Sequence, residues 1–282
     1  MMSSNNRFTK RIFGFFAHIF RGGLRGWTGW ALDALHIPRQ ERDGRRIISA
    51  ATLQRWLRNS PIKPLGDIIS PGNILVFAPH PDDDVIGCGG LIIQAQTVGR
   101  TVHIVFLTDG SAAIRRPGDK LSSDALVALR EQEARRAARL LCVPQDRLHF
   151  FRVPDRTVPS SGVEFDKLVA RLAMMLRHQR IGTIITTSDL DPHPDHQGAC
   201  AIARQVSTNA GVRLLCCPVT LWGMSRRRVV SYRTIHASRL DVRQQLATKR
   251  AALEMHASQV SVYEFLLDWA CAPFEVYLSE SV

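Results

Sequence analysis

The 282-residue sequence contains no C-x-x-C pair, and its six cysteines (Cys88, Cys142, Cys200, Cys216, Cys217, Cys271) are scattered. That excludes a disulfide scaffold or a zinc-finger framework and fits a reducing, cytoplasmic compartment. There is no G-x-S-x-G, and no cysteine adjoins a histidine in the loops that carry histidine, so neither a serine nor a cysteine nucleophile suggests itself. No internal repeat, low-complexity tract or nucleic-acid-binding motif is present, which argues against a nucleic-acid partner. The apolar stretch from Arg11 to Phe20 covers at most about half of the roughly 20 residues that cross a bilayer. No A-x-A-like cleavage site follows it, so a signal peptide is a poor reading.

The net charge of +12 is unevenly spread. Residues 1–60 hold eleven Lys/Arg against three Asp/Glu, a surplus of eight in the first fifth of the chain. Phe15, Phe16, Phe20, Trp27 and Trp30 are interleaved with Arg11, Arg21 and Arg25. Such a mixture suits either a helical extension packed on the core or peripheral contact with the cytoplasmic membrane face, aromatics inserted and arginines on phosphates. Residues 1–70 are therefore expected to form a basic N-terminal extension, and 71–282 a single catalytic domain.

From residue 71 the pattern alternates. Asn73–Pro79, Thr101–Thr108, Leu148–Val153 and Gly182–Thr187 are short apolar runs bounded by turn residues, as buried parallel strands are. Helical periodicity lies between and after them, over about 87–98, 123–141, 165–179 and 195–209, with Ser122 or Ser123 as an N-cap. Strands alternating with helices imply an α/β fold, a Rossmann-like, mostly parallel sheet flanked by helices.

Two segments concentrate the chemistry. His80-Pro81-Asp82-Asp83-Asp84 follows the first strand, and His193-Pro194-Asp195-His196 follows the fourth. A single His-Pro-Asp is an ordinary turn, with proline fixing φ and the acid capping the next helix. Two of them closing βα junctions arrive at the same sheet edge, because sites in open parallel sheets lie beyond the carboxyl ends of strands. Three imidazoles and several carboxylates form a ligand set that suits zinc, and Fe²⁺ also accepts it. The spacing itself leaves open which of Asp82 and Asp83 binds metal.

The sequence Ala78-Pro-His-Pro-Asp-Asp-Asp-Val-Ile-Gly-Cys-Gly-Gly90, with His193-Pro-Asp-His196, resembles the LmbE/PIG-L family of zinc-dependent N-deacetylases. Softer matches are Leu107-Thr-Asp-Gly110, Arg130 with Glu133, Lys249, and His256-Ala-Ser-Gln259. The resemblance implies His80, Asp83 and His196 as metal ligands and Asp82 as general base. It implies His193, as an imidazolium, as the oxyanion stabiliser. Asp195 is read as orienting a ligand or capping the helix. Two positions depart from the pattern: Asp84 stands where the family usually has Glu, and Asp191 where some relatives have tyrosine. Arg115, Arg116, Arg130 and Asp191 are candidate substrate contacts, although Arg115 and Arg116 suit a solvated loop equally and Arg130 is expected rather to pair with a carboxylate on its own helix. His256 and Gln259 are expected to be packed and hydrogen-bonded.

The activity implied is hydrolysis of the acetamide of an N-acetylglucosamine-type small molecule or lipid-linked glycoside, giving free amine and acetate. An amidase for another conjugated metabolite, or a non-catalytic sugar-binding or membrane-scaffold protein, are the competing readings.

Overall fold

The computed structural model describes residues 39–40, 46–113, 120–233, 235–260 and 264–280. The basic, aromatic stretch 1–38 and Arg115 and Arg116 lie outside the described residues. The four apolar runs form strands β3 (Asn73–Ala78), β4 (Val102–Thr108), β5 (Leu148–Val153) and β6 (Ile181–Thr187). The first described strands are β1 (Arg39–Gln40) and β2 (Arg46–Ser49). Beyond β6 come β7 (Arg213–Cys217), β8 (Val229–Tyr232), β9 (Ile235–Asp241) and β10 (Phe274–Glu280).

The helices are α1 (Ala50–Arg58), α2 (Leu65–Ile68), α3 (Asp83–Thr97), α4 (Ser123–Leu140), α5 (Val163–His178), α6 (Pro194–Ala210), α7 (Leu246–Glu254), α8 (Ala257–Val260) and α9 (Glu264–Ala270). Ser122 is the N-cap of α4, its hydroxyl accepting the Ala125 amide.

The main sheet has the order β5-β4-β3-β6-β7-β10-β9. Its first five strands are parallel, and β10 joins antiparallel to both β7 and β9. Side chains alternate across it. Val76, Ile104, Phe106 and Ile185 meet Leu91, Ala134 and Ala137 on one face. Leu75, Phe77, Val105 and Ile184 meet Leu172, Leu176, Ile202 and Val206 on the other. Burial on both faces is why these strands read as unbroken apolar runs; each such side chain contributes about 1.5–3 kcal/mol.

The chain leaves β3 to build β4 and β5 on one side, then returns to build β6 and β7 on the other. The crevice where the winding reverses therefore opens beyond the carboxyl ends of β3 and β6, the place where such sheets hold their sites.

Residues 46–70, grouped on sequence with the extension, contribute β2, α1 and α2. β2 pairs with β8 in a small second sheet, and Leu53 and Leu57 of α1 are fully buried beside Val230 and Trp269. All six cysteines are free thiols.

The helix after β3 starts at Asp83, four residues earlier than its glycines suggested, and breaks at Cys88, whose φ/ψ of −147°/21° is not helical. The break leaves polar groups on both sides, and two buried side chains take them. Lys249 Nζ donates to the Ile86 carbonyl at 3.0 Å, ending the first half. Glu275 accepts the Gly90 and Leu91 amides at 2.7 and 2.9 Å, capping the second half with negative charge where the helix dipole favours it. Lys249 and Glu275 bond each other at 2.6 Å, and Tyr277 donates to the remaining carboxylate oxygen at 2.7 Å. Glycine is required at 90: a Cβ there would lie 2.5 Å from a Val242 methyl.

Candidate active site

β3 ends at Ala78 and delivers His80 to the crevice. Asp83 Oδ2 folds back to accept the His80 amide at 2.9 Å, which closes a tight turn. Between them Asp82 is forced to φ 153°, a backbone region that costs a non-glycine residue about 1–3 kcal/mol and is tolerated where its surroundings impose it. On the other side β6 delivers the loop from Ser188 to His193. His193 caps α6, its Nδ1 accepting the Asp195 amide at 3.3 Å, and Pro194 occupies the first helical position.

The two loops meet. Asp83 Oδ2 lies 3.1 Å from His80 Nδ1 and 3.4 Å from His196 Nε2. A four-coordinate ion with bonds of about 2.0–2.1 Å needs donor pairs about 3.3 Å apart, so both separations fit. Each imidazole presents its other nitrogen to a carboxylate: His196 Nδ1 to Asp191 Oδ2 at 2.9 Å, and His80 Nε2 to Asp195 Oδ2 at 3.2 Å. That is the pattern by which carboxylates fix the tautomer of metal-binding histidines.

His80, His193 and His196 also offer nitrogens that all lie within 4.8 Å of one another, so His193 competes with Asp83 as third ligand. Asp83 differs from His193 in bringing a negative charge to a divalent ion.

The electrostatics agree with a site that attracts positive charge. Burial opposes the charge on His196, yet Asp83 and Asp191 raise it to about 10. His80 likewise rises well above the ordinary value against its burial, through Asp155, Asp195 and Asp83. Burial pushes Asp83 up, but His196 and His80 hold it well below the usual carboxylate range.

Asp82 is buried beside this cluster, and burial raises it to about 6 while Arg130 opposes the rise. Arg130, itself buried, donates to the Gly110 and Pro81 carbonyls at 3.0 and 3.1 Å and lies 3.4 Å from Asp82 Oδ2. It therefore pairs with the loop carboxylate and not with a neighbour on its own helix. Gly110 has φ +67°, and a Cβ there would lie 2.4 Å from the guanidinium.

Asp191 is fully buried, and beside His196 its oxygens accept the Val219 and Leu221 amides at 3.1 and 2.7 Å; it does not line the cavity over the cluster. His193 Nδ1 accepts the Asp195 amide at 3.3 Å, which leaves Nε2 as the nitrogen free to donate. Burial, with His80 and His196, holds it below the ordinary histidine value. His256 is fully buried, but neither ring nitrogen has a partner among the described residues; Gln259 donates to Ser258 Oγ at 3.0 Å. Glu133 binds the Ser258 amide and hydroxyl, tying α4 to α8.

A cavity of about 180 Å³ opens over the cluster, walled by Ile86, Ala112, Ala113, Val219 and Thr220. Asp155 and Arg156, on the loop after β5, also line it and were missed on sequence. Asp155 follows a third parallel strand, so the strand-end rule that found the histidine clusters would have pointed to it.

The family model described as PIG-L, GlcNAc-PI de-N-acetylase, matches residues 75–207. The diacetylchitobiose deacetylase of Thermococcus kodakarensis is 28% identical over 153 residues, which is 53% of this chain; the chain spans only 53% of that relative's length. The solved N,N'-diacetylchitobiose deacetylase of Pyrococcus horikoshii has a TM-score of 0.52 at 24% identity, covering 76% of this chain and 81% of its own. A 4-carboxy-2-hydroxymuconate hydratase of Pseudomonas putida has a TM-score of 0.58 at 18% identity, covering 75% and 98%. These two likenesses speak for the fold, which serves more than one reaction. Over residues 75–207 this chain is similar to the PIG-L family.

Proposed function

We propose that the chain is a zinc-dependent N-deacetylase that hydrolyses the acetamide of an N-acetylglucosamine-type glycoside. The observation that carries this reading is one constellation. Asp83 stands between two imidazoles whose far nitrogens rest on Asp191 and Asp195, with Asp82 buried alongside. His80, Asp83 and His196 would hold the ion, and a divalent ion there supplies Lewis acidity, polarising the amide carbonyl and acidifying water.

The chain's own residues do the rest. Asp82 faces Arg130 through Oδ2, which leaves Oδ1 to take a proton from the attacking water and return it to the departing nitrogen. Arg130 keeps that carboxylate ionised against its burial and fixes its orientation. His193 offers its Nε2–H to the oxygen that gains charge. Val219, Thr220, Ala112 and Ala113 narrow the cavity around the acetamide.

Six free thiols support a reducing, cytoplasmic setting. No described helix is long and apolar enough to cross a membrane. The basic, aromatic residues 1–60 support a lipid- or phosphate-linked glycoside presented at a membrane surface. The test is release of acetate and free amine from free, nucleotide-linked, inositol-linked and polyprenyl-diphosphate-linked N-acetylglucosamine, with Asp82→Asn as control. Amine release that persists in the control, or none across the panel with metal-replete protein, overturns the reading.

A further inference from the structure

Asp155 and Asp195 stand on different segments, one after β5 and one in the first turn of α6. Yet both carboxylates converge on Nε2 of His80, at 3.3 and 3.2 Å. One N–H serves one acceptor well and does not neutralise two carboxylates. One donor atom from each of His80, Asp155, His193 and Asp195 lies within 4.8 Å of every other. The Asp195 side chain is fully buried and that of Asp155 is 4% exposed, so water screens their repulsion little.

Backbone amides hold both groups in place: Arg156 and Val158 donate to Asp195 at 2.7 and 3.1 Å, and Ala112 to Asp155 at 3.1 Å. These are dipoles and bring no full positive charge. Arg130 is turned to Asp82, and among the described residues neither it nor Arg156 ion-pairs with either carboxylate. Two buried carboxylates at this range require a shared proton or a cation between them.

We propose that Asp155, Asp195, His193 and Nε2 of His80 form a second divalent-cation site beside the first. His80 serves the first site through Nδ1 and the second through Nε2, whose proton leaves as the second ion binds. Two carboxylates balance the charge of the ion, and two nitrogens with two oxygens suit zinc, iron or manganese. Sharing His80 and recruiting the half-buried His193 make this the weaker site. Its occupation removes His193 from the oxyanion position, so turnover falls as it fills. The site requires only these donor atoms and stands apart from the identity of the substrate.

The test dialyses chelator-stripped, full-length protein against rising free zinc and reads metal per chain by elemental mass spectrometry. Two equivalents bind, the second more weakly. Asp155→Asn keeps the first equivalent and loses the second, and Asp155→Ser does the same. Rates on the same wild-type samples rise with the first equivalent and fall with the second. Saturation at one equivalent, or a second equivalent that survives both substitutions, overturns the site. Two equivalents lost one by one as described, with no amine released from any acetamido sugar, would overturn the deacetylase reading and leave this one standing.

Discussion

Asp191 Oδ2 accepts a hydrogen bond from Nδ1 of His196 at 2.9 Å, deep beneath the cavity, and the same carboxylate gathers the backbone amides of Val219 and Leu221. One buried acid thus sets the orientation of an imidazole proposed as a metal ligand and the position of a cavity wall. Asp191→Asn should weaken zinc binding about 10–100-fold, the usual cost of losing such an orienting partner. Competition with a chromogenic chelator checks it, and unchanged affinity would remove Asp191 from the metal's support.

The choice between Asp83 and His193 as third ligand has its own test. Asp83→Ala and His196→Ala should bind no zinc at the tight site, whereas His193→Ala should keep the tight equivalent and lose turnover. Zinc kept in Asp83→Ala and lost in His193→Ala would identify the three-histidine set, of which His196 is also a member.

Asp82→Asn should retain zinc while its rate falls by about 10²–10⁴-fold, the range expected for a general base. Arg130→Met should lower kcat about tenfold or more, since it removes the charge that opposes protonation of Asp82 and the bonds that hold Pro81 and Gly110. Steady-state kinetics on the best substrate of the panel reads both. A wild-type rate in either variant would take that residue out of the chemistry.

Lys249 and Glu275 form an ion pair whose side chains are each 2% exposed. Removing one partner strands a buried charge, so Lys249→Met should cost about 3–5 kcal/mol in urea unfolding. The double substitution Lys249→Met with Glu275→Gln should cost less than the sum of the two single ones.

His256 predicts a dependence of stability on pH. Burial, with Arg130 nearby, lowers its pKa from 6.5 to about 3. The unfolded chain therefore binds a proton that the native one refuses. The contribution is complete above pH 6.5 and is lost as pH falls toward about 3. By pH 5 the loss is about 2 kcal/mol. His256→Leu should flatten that decline between pH 7 and pH 5, and an unaltered slope would show that other groups set it.

Much of the fold could be read because strands buried on both faces betray themselves as unbroken apolar runs, and β3, β4, β5 and β6 fall where such runs lie. The two histidine segments were legible for a related reason: each follows one of those strands, and topology brings strand ends together. Asp155 carries no motif, so only its place after β5 marks it. Arg130 was visible, but its partner Asp82 lies 48 residues away and no periodicity connects them. β9 and β10 escaped because the sheet turns antiparallel there and its edge strand is half-exposed. Glu275 in particular is a charged residue pointing inward, contrary to the rule that places strands.

The break in α3 gives the first turn of that helix two foundations, and both come from the far end of the chain. Asp83 and Asp84 ride on a five-residue stub whose Ile86 carbonyl is gripped by Lys249 and whose continuation is gripped by Glu275. The stretch that matches the family, 75–207, contains every proposed ligand of the first ion and none of this anchorage. Excised alone, it would carry the full set of coordinating atoms on a turn with nothing beneath it. An engineer seeking a minimal version of this protein would have to keep the last strand for the sake of a metal it never touches.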